Sequence, residues 1–195
     1  MGKIICLMGK SSTGKDTIYK HLLADRRLGL KKIVPYTTRP IRNGERDGVE
    51  YFFRSEQEFL QMKEEDRIIE DREYRTVHGL WRYFVADDGQ IRKDGNYIMI
   101  GTLEAYRHLQ DYFGADRVLP VMIELNDGVR LQRALNRERK QENPKFEEMC
   151  RRFLADSEDF SEQKIADAGI TDRFVNTNLE QCLDQIRQYI GHFIN

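Results

Sequence analysis

The chain has 195 residues, 33% of them charged and 39% hydrophobic, with a formal net charge of -1. That suits one domain around a single sizeable core and offers no bulk attraction to nucleic acid or to an anionic membrane. The longest apolar stretches are strand-sized, far short of the ~20 residues that a membrane span needs.

The N-terminus runs straight into a strand pattern with no charged leader and cleavage site, so the expected compartment is the cytoplasm. Cys6, Cys150 and Cys182 are odd in number and far apart. No pair has metal-ligand spacing, and buried free thiols are expected.

Ile4-Ile5-Cys6-Leu7-Met8 is a continuous apolar run, the mark of a strand buried on both faces. A glycine loop follows, and then Ile18, His21, Leu22 and Leu23 recur at helical spacing. Lys32-Ile33-Val34 reads as a second strand. The texture changes between residues 36 and 86, which are polar, arginine-rich and broken by Asn43-Gly44 and Asp47-Gly48 turns. Within that segment Val49 to Phe53 alternates like a strand, and Ser55 to Glu58 is a capping box opening a helix toward Glu65. Ile68 to Val77 and Trp81 to Val85 read as two strands joined by a His78-Gly79 turn.

The buried pattern then resumes with a strand at Tyr97 to Ile100 and a helix at Leu103 to Phe113. Next come a strand at Val118 to Leu125, a helix from Val129 to about Lys140, and a helix from Phe146 to Phe160. Arg173 to Val175 is a last short strand, and Asn178 caps a final helix through Ile190. Strand and helix alternate throughout this frame, so an α/β fold with a parallel sheet and right-handed crossovers is predicted.

The glycine loop carries the chemistry. Gly9 to Asp16, GKSSTGKD, has the form G-x-x-x-x-G-K-[ST] except that aspartate takes the last place. Between a strand and a helix, Gly9, Ser11, Ser12, Thr13 and Gly14 would turn successive N–H groups onto phosphate oxygens, with Lys15 reaching the β- and γ-phosphates. Asp16 replaces the hydroxyl that normally serves magnesium. Its carboxylate can hold Mg2+ directly or through water, with the Thr17 hydroxyl one position on, or it can merely favour the helix N-terminus.

The second feature runs from Thr37 to Glu45 and continues in Asp47-Gly48-Val49-Glu50-Tyr51. Two arginines three apart, on a segment fixed by Pro40, make a clamp for a phosphate group. T-T-R-x-x-R-x-G-E followed by D-G-x-x-Y resembles the nucleoside monophosphate segment of guanylate kinases, and the resemblance extends over nearly the whole chain. It implies a P-loop NTPase three-layer fold in one domain. Its core would be residues 1–35, 87–132 and 162–195, with an NMP-binding insertion at 36–86 and a short helical lid at 133–161. It further implies ATP-dependent phosphoryl transfer to GMP, with Mg2+ as cofactor. Arg39, Arg42 and Tyr51 would hold the GMP phosphate, Glu45 would support them, and Glu70 would read the guanine edge. Tyr83 would be a second tyrosine on the phosphate, a stacking ring or a packed one. The lid cations are expected to be Arg137 and Arg152, with Arg133 and Arg139 in reserve, and Asn176, in Val175-Asn176-Thr177-Asn178, would lie near the adenine of ATP. ATP and GMP are the expected partners, with no nucleic acid or membrane, and the protein would be a monomer or homodimer.

Three departures stand out. The family usually has a serine touching the guanine carbonyl where this chain has Pro35. The family often has an L-D-I-D run where this chain has Ile98-Met99-Ile100-Gly101. Asp16 is the third. They keep two other readings open: the same fold acting on another nucleoside monophosphate or a phosphorylated sugar, or a binding module without turnover. The intact Gly14 and Lys15 argue against the module. Trp81 is assigned to core or hinge, and His21 and His108 to packing.

Overall fold

The computed structural model of this chain describes residues 1–76 and 79–194. Its centre is a five-stranded sheet in the order β2-β7-β1-β8-β9, with every pairing parallel. Strand β1 (Ile4–Met8) lies in the middle, between β7 (Tyr97–Ile100) and β8 (Val118–Glu124), with β2 (Lys31–Lys32) and β9 (Arg173–Val175) at the edges. A parallel strand covered on both faces has no solvent side, and all five residues of β1 are fully buried.

Alternation divides those residues between two layers. Ile5 and Leu7 pack with Ile18 and Leu22 of α1 (Lys15–Ala24) and with Leu183, Ile186 and Ile190 of α7 (Leu179–Ile194). Ile4, Cys6 and Met8 face Tyr106 and Leu109 of α3 (Leu103–Phe113), with Phe160 and Ile165 beside them.

A second sheet, β4-β3-β6-β5, stands apart in the topology. It comprises β3 (Tyr36–Thr37), β4 (Phe52–Phe53), β5 (Ile68–Thr76) and β6 (Gly79–Ala86). β5 and β6 form an antiparallel pair, and Tyr36 of β3 registers with Phe84 of β6. One face packs Tyr36 and Phe84 on Phe59 of α2 (Glu56–Glu64). Helix α2 starts at Ser55 with both reciprocal bonds of a capping box. The opposite face carries Glu70, Arg72 and Tyr74, which register with Val85, Tyr83 and Trp81.

The remaining helices are α4 (Asp127–Glu138), α5 (Phe146–Asp159) and α6 (Glu162–Asp167). Helix α5 buries none of its residues fully and leaves Leu154 70% exposed, so it is an arm rather than a core element.

Several expectations change in detail. The strand expected at 32–34 is only Lys31–Lys32, although Ile33 and Val34 are buried and Ile33 N–H still reaches Ile98 O. The strand expected from Val49 shrinks to Phe52–Phe53, because residues 48 and 49 close turns through Gly48 N–H to Tyr51 O and Val49 N–H to Arg46 O. Strand β3 and helix α6 were not foreseen; both are too short to show a period. His21 and Cys150 are exposed, not packed. The predicted turn at His78 and the strand end at Val77 lie outside the described residues. Among the described residues, no helix is long and apolar enough to cross a membrane.

Candidate functional site

The loop between β1 and α1 takes the conformation that its glycines permit. Gly9 and Gly14 have φ of 149° and 93°. A Cβ at Gly9 would lie 2.4 Å from the Ile123 carbonyl oxygen, and one at Gly14 would lie 2.4 Å from Asn176 Nδ2. Both positions therefore need glycine for space as well as torsion. Ser12 holds φ of 65° with a side chain, a strained conformation of the kind that gathers at functional sites. Its hydroxyl is buried and has no hydrogen-bond partner among the described residues. A phosphate oxygen is the kind of acceptor that this hydroxyl and the loop's N–H groups suit.

Lys15 Nζ donates to Lys10 O at 3.3 Å, and Thr13 Oγ1 donates to the same carbonyl at 2.9 Å. Burial pulls the Lys15 ammonium below the ordinary lysine range, with Asp16 and Asp156 opposing that shift. Asn176 is buried, and its Nδ2 donates to Thr13 O at 2.7 Å. It therefore braces the loop from β9. Arg133 comes near from α4, with Nη1 3.8 Å from where a Gly14 Cβ would sit.

Ser11 is held at both ends of its peptide. Its N–H donates to Asp156 Oδ2 at 2.7 Å, and its carbonyl accepts from Arg130 Nη1 at 2.9 Å. Arg130 is 1% exposed, pairs with Asp127 at 2.9 Å and Asp156 at 3.3 Å, and lies over the Phe153 ring at 4.8 Å. This strut ties α4 and α5 to the phosphate loop. The sequence reading missed it. The three-residue spacing of Asp127 and Arg130 was an available signal, but nothing local marks Asp156.

Asp16 is exposed in the first turn of α1, and the helix cap is Gly14, with no side-chain bond. Among the described residues, no group of three or more His, Cys, Asp and Glu gathers to hold a metal. That donor set does not suit an all-protein cage. Asp16 supplies a carboxylate at the end of the loop, and magnesium is commonly held by one or two carboxylates together with substrate phosphates.

The second cluster lies on the open face of the smaller sheet. Arg39 is 4% exposed and makes a two-pronged pair with Glu45, at 2.7 and 2.6 Å. That pair holds the Glu45 carboxyl down to about 2. Glu45 also accepts from Arg42 N–H at 2.8 Å, which fixes the turn between the two arginines. The Arg39 guanidinium lies 5.1 Å from the Tyr51 ring, and Tyr51 meets Tyr83 edge-on at 5.6 Å. Arg39, Glu45, Tyr51 and Tyr83 therefore form one group. Glu70 sits further along β5, 2% exposed, and burial raises its carboxyl above the ordinary range.

A cleft of about 580 Å3 lies between the phosphate loop, the helical arm and the Arg42 side of the smaller unit; Lys15, Arg39, Tyr51, Glu70 and Tyr83 are not among its lining residues. Ser11 and Ser12 line it from the phosphate loop, Arg42 and Trp81 from the smaller sheet, and Arg137 and Arg152 from the helical arm. Trp81, assigned to core or hinge, is half-buried and lines the cleft. Arg152 is exposed and pairs with Glu148 at 2.8 Å, and the Arg139 expected in reserve is absent from the lining.

A family model described as "Guanylate kinase" matches residues 1–89. The guanylate kinase of Porphyromonas gingivalis is 32% identical over 197 aligned residues, covering 100% of this chain and 99% of that protein. The guanylate kinase of Caldanaerobacter subterraneus subsp. tengcongensis is 29% identical, covering 97% of this chain and 86% of its own length. A crystal structure of guanylate kinase from Anaplasma phagocytophilum matches the fold with a TM-score of 0.63 at 22% identity, covering 99% of this chain and 86% of that one. The phosphate loop on a parallel sheet and the arginine-bearing smaller sheet thus occur in a chain with a full-length relative, and the protein belongs to the guanylate kinase family.

Proposed function

We propose that this protein transfers the γ-phosphoryl group of ATP to the phosphate of GMP, giving ADP and GDP. The observation that carries the reading is a cleft lined by phosphate-loop serines, by Arg42 of the acceptor side and by Arg137 and Arg152 of the arm. Phosphoryl transfer spreads negative charge over the moving group and demands positioning with cations rather than covalent work.

In this reading residues 36–86 hold the acceptor, residues 133–161 close over the donor, and the remainder is the core. Gly9 to Gly14 seat the β- and γ-phosphates, and Lys15, Arg137 and Arg152 balance the developing charge. Arg39, Arg42 and Tyr51 position the acceptor phosphate, with Tyr83 behind Tyr51 and Glu45 orienting Arg39. No side-chain base is needed, because the acceptor oxygen is already anionic. Glu70 reads the base, Asn176 braces the loop beside the adenosine, and Asp16 with Thr17 holds Mg2+. When bound, the metal neutralises charge on the transferring phosphates.

The test is ADP formation from ATP and magnesium with GMP, dGMP, AMP, CMP and UMP offered separately. Rapid turnover with the guanine nucleotides alone is expected. Equal turnover with AMP, or none with any acceptor, would sink the reading.

A further inference from the structure

Glu70 and Arg72 stand two residues apart on β5 and share the face that carries Tyr83. The Glu70 side chain is fully buried and that of Arg72 is 21% exposed, so both lie at the base of the smaller sheet's open face. Arg72 Nε and Nη2 lie 3.2 and 3.3 Å from the two Glu70 oxygens. These contacts are long for a charge-assisted pair, which settles near 2.7 to 2.9 Å; Arg39 and Glu45 reach 2.7 and 2.6 Å on the same unit. A guanidinium has five N–H donors, and the Glu70 contact uses one on Nε and one on Nη2. The site thus presents an acceptor and a donor-rich cation side by side.

Guanine offers the complement, with N–H donors next to the O6 acceptor, and arginine is the side chain that most often recognises that oxygen. Adenine carries an amino group in place of O6, which would set N–H against N–H. Pro35 has no side-chain donor. We propose that Arg72 is a specificity-determining residue that donates to the O6 carbonyl oxygen of the acceptor guanine while Glu70 takes its N–H donors. The proposal rests on GMP being the acceptor, and it assigns the carbonyl contact to a residue that the sequence reading left without a role.

The experiment is calorimetric titration of GMP, 6-thio-GMP and AMP into the wild type, Arg72→Met, and the double variant Glu70→Gln/Arg72→Met. Sulfur is a poor acceptor, so the wild type should prefer GMP over 6-thio-GMP by about 10- to 100-fold, the worth of one charge-assisted hydrogen bond. Arg72→Met should lose that factor for GMP alone, leaving the two ligands within about twofold of each other and improving the relative binding of AMP. The double variant removes both charges together, so no carboxylate is left buried without its cation, and it should show the same collapse of preference. Survival of the oxygen preference in either variant overturns the Arg72 assignment while leaving GMP as the acceptor. Failure of the wild type to bind GMP overturns both.

Discussion

Replacing Asp156 by alanine tests whether the helical arm is built into the phosphate loop. The carboxylate accepts from Ser11 N–H at 2.7 Å and lies 3.3 Å from Arg130 Nη1 and from Ser11 Oγ. Its side chain is 16% exposed and that of Arg130 fully buried, so solvent replaces little of what is lost. Breaking a buried ion pair typically costs about 3–5 kcal/mol, but Arg130 keeps Asp127, which brings the expected loss to about 3 kcal/mol. For a chain of this size that lowers the midpoint of thermal unfolding by about 6–12 °C. Urea titration should show a lower midpoint with an unchanged slope. Asp156→Asn keeps an acceptor for Ser11 and removes the charge, so it should lose about half as much. The KM for ATP should rise in the alanine variant, since Ser11 loses one of its two anchors. A stability change within about 0.5 kcal/mol would refute the strut and make Asp156 an ordinary surface carboxylate.

Gly14→Ala should cost about 2 kcal/mol from the left-handed torsion and displace the Asn176 amide, abolishing ATP binding by titration. Adding Asn176→Ala should relieve the collision but leave the torsional part, and full rescue of stability would contradict the torsional reading. Glu45→Gln should destabilise the protein by about 1 kcal/mol at neutral pH, after allowance for solvent screening. The sign follows from the depressed carboxyl: the wild-type advantage is present above 4.5 and is lost as pH falls toward about 2. A gap between variant and wild type that widens on acidification would be inconsistent with the Arg39 pair.

Much of the frame is legible because parallel strands are continuous apolar runs and the main helices carry a clear period. Ile4–Met8, Tyr97–Ile100 and Leu103–Phe113 fall where the pattern puts them. The loop and the Arg39 cluster are legible because close phosphate contact demands particular residues at fixed spacing. The rest depends on what distant segments do to each other. Ser11 and Asp156 are 145 residues apart in the chain and meet only because the arm folds back. Arg72 reads as one charge in the charged stretch Glu70–Arg75 until the strand alternation sets it beside Glu70. Asn176 also donates to Thr13 O, 163 residues away in the chain, a contact that no local pattern shows.

At Gly101, just past β7, where the family often has an aspartate, there is little space for a side chain. A Cβ at Gly101 would sit 2.8 Å from Cys6 Sγ, closer than packed carbon and sulfur tolerate, and Met99 is 3% exposed in the same cluster as Cys6 and Met8. Burial pushes the Cys6 thiol up to about 12, so it stays neutral beside the Glu70 carboxyl. A carboxylate at position 101 would therefore meet the sulfur of a buried, neutral thiol. Gly101→Ala alone should cost about 1–3 kcal/mol by overpacking, and Cys6→Ala about 1 kcal/mol through the space left behind. In the double variant the new methyl enters the space that the sulfur vacates. The two losses should then fall short of additivity by at least about 1 kcal/mol in a urea-denaturation cycle. Additivity within about 0.5 kcal/mol would mean that the thiol does not exclude a side chain there. If the coupling is found, the Cys6 sulfur is what keeps position 101 free of a side chain, whether apolar or acidic.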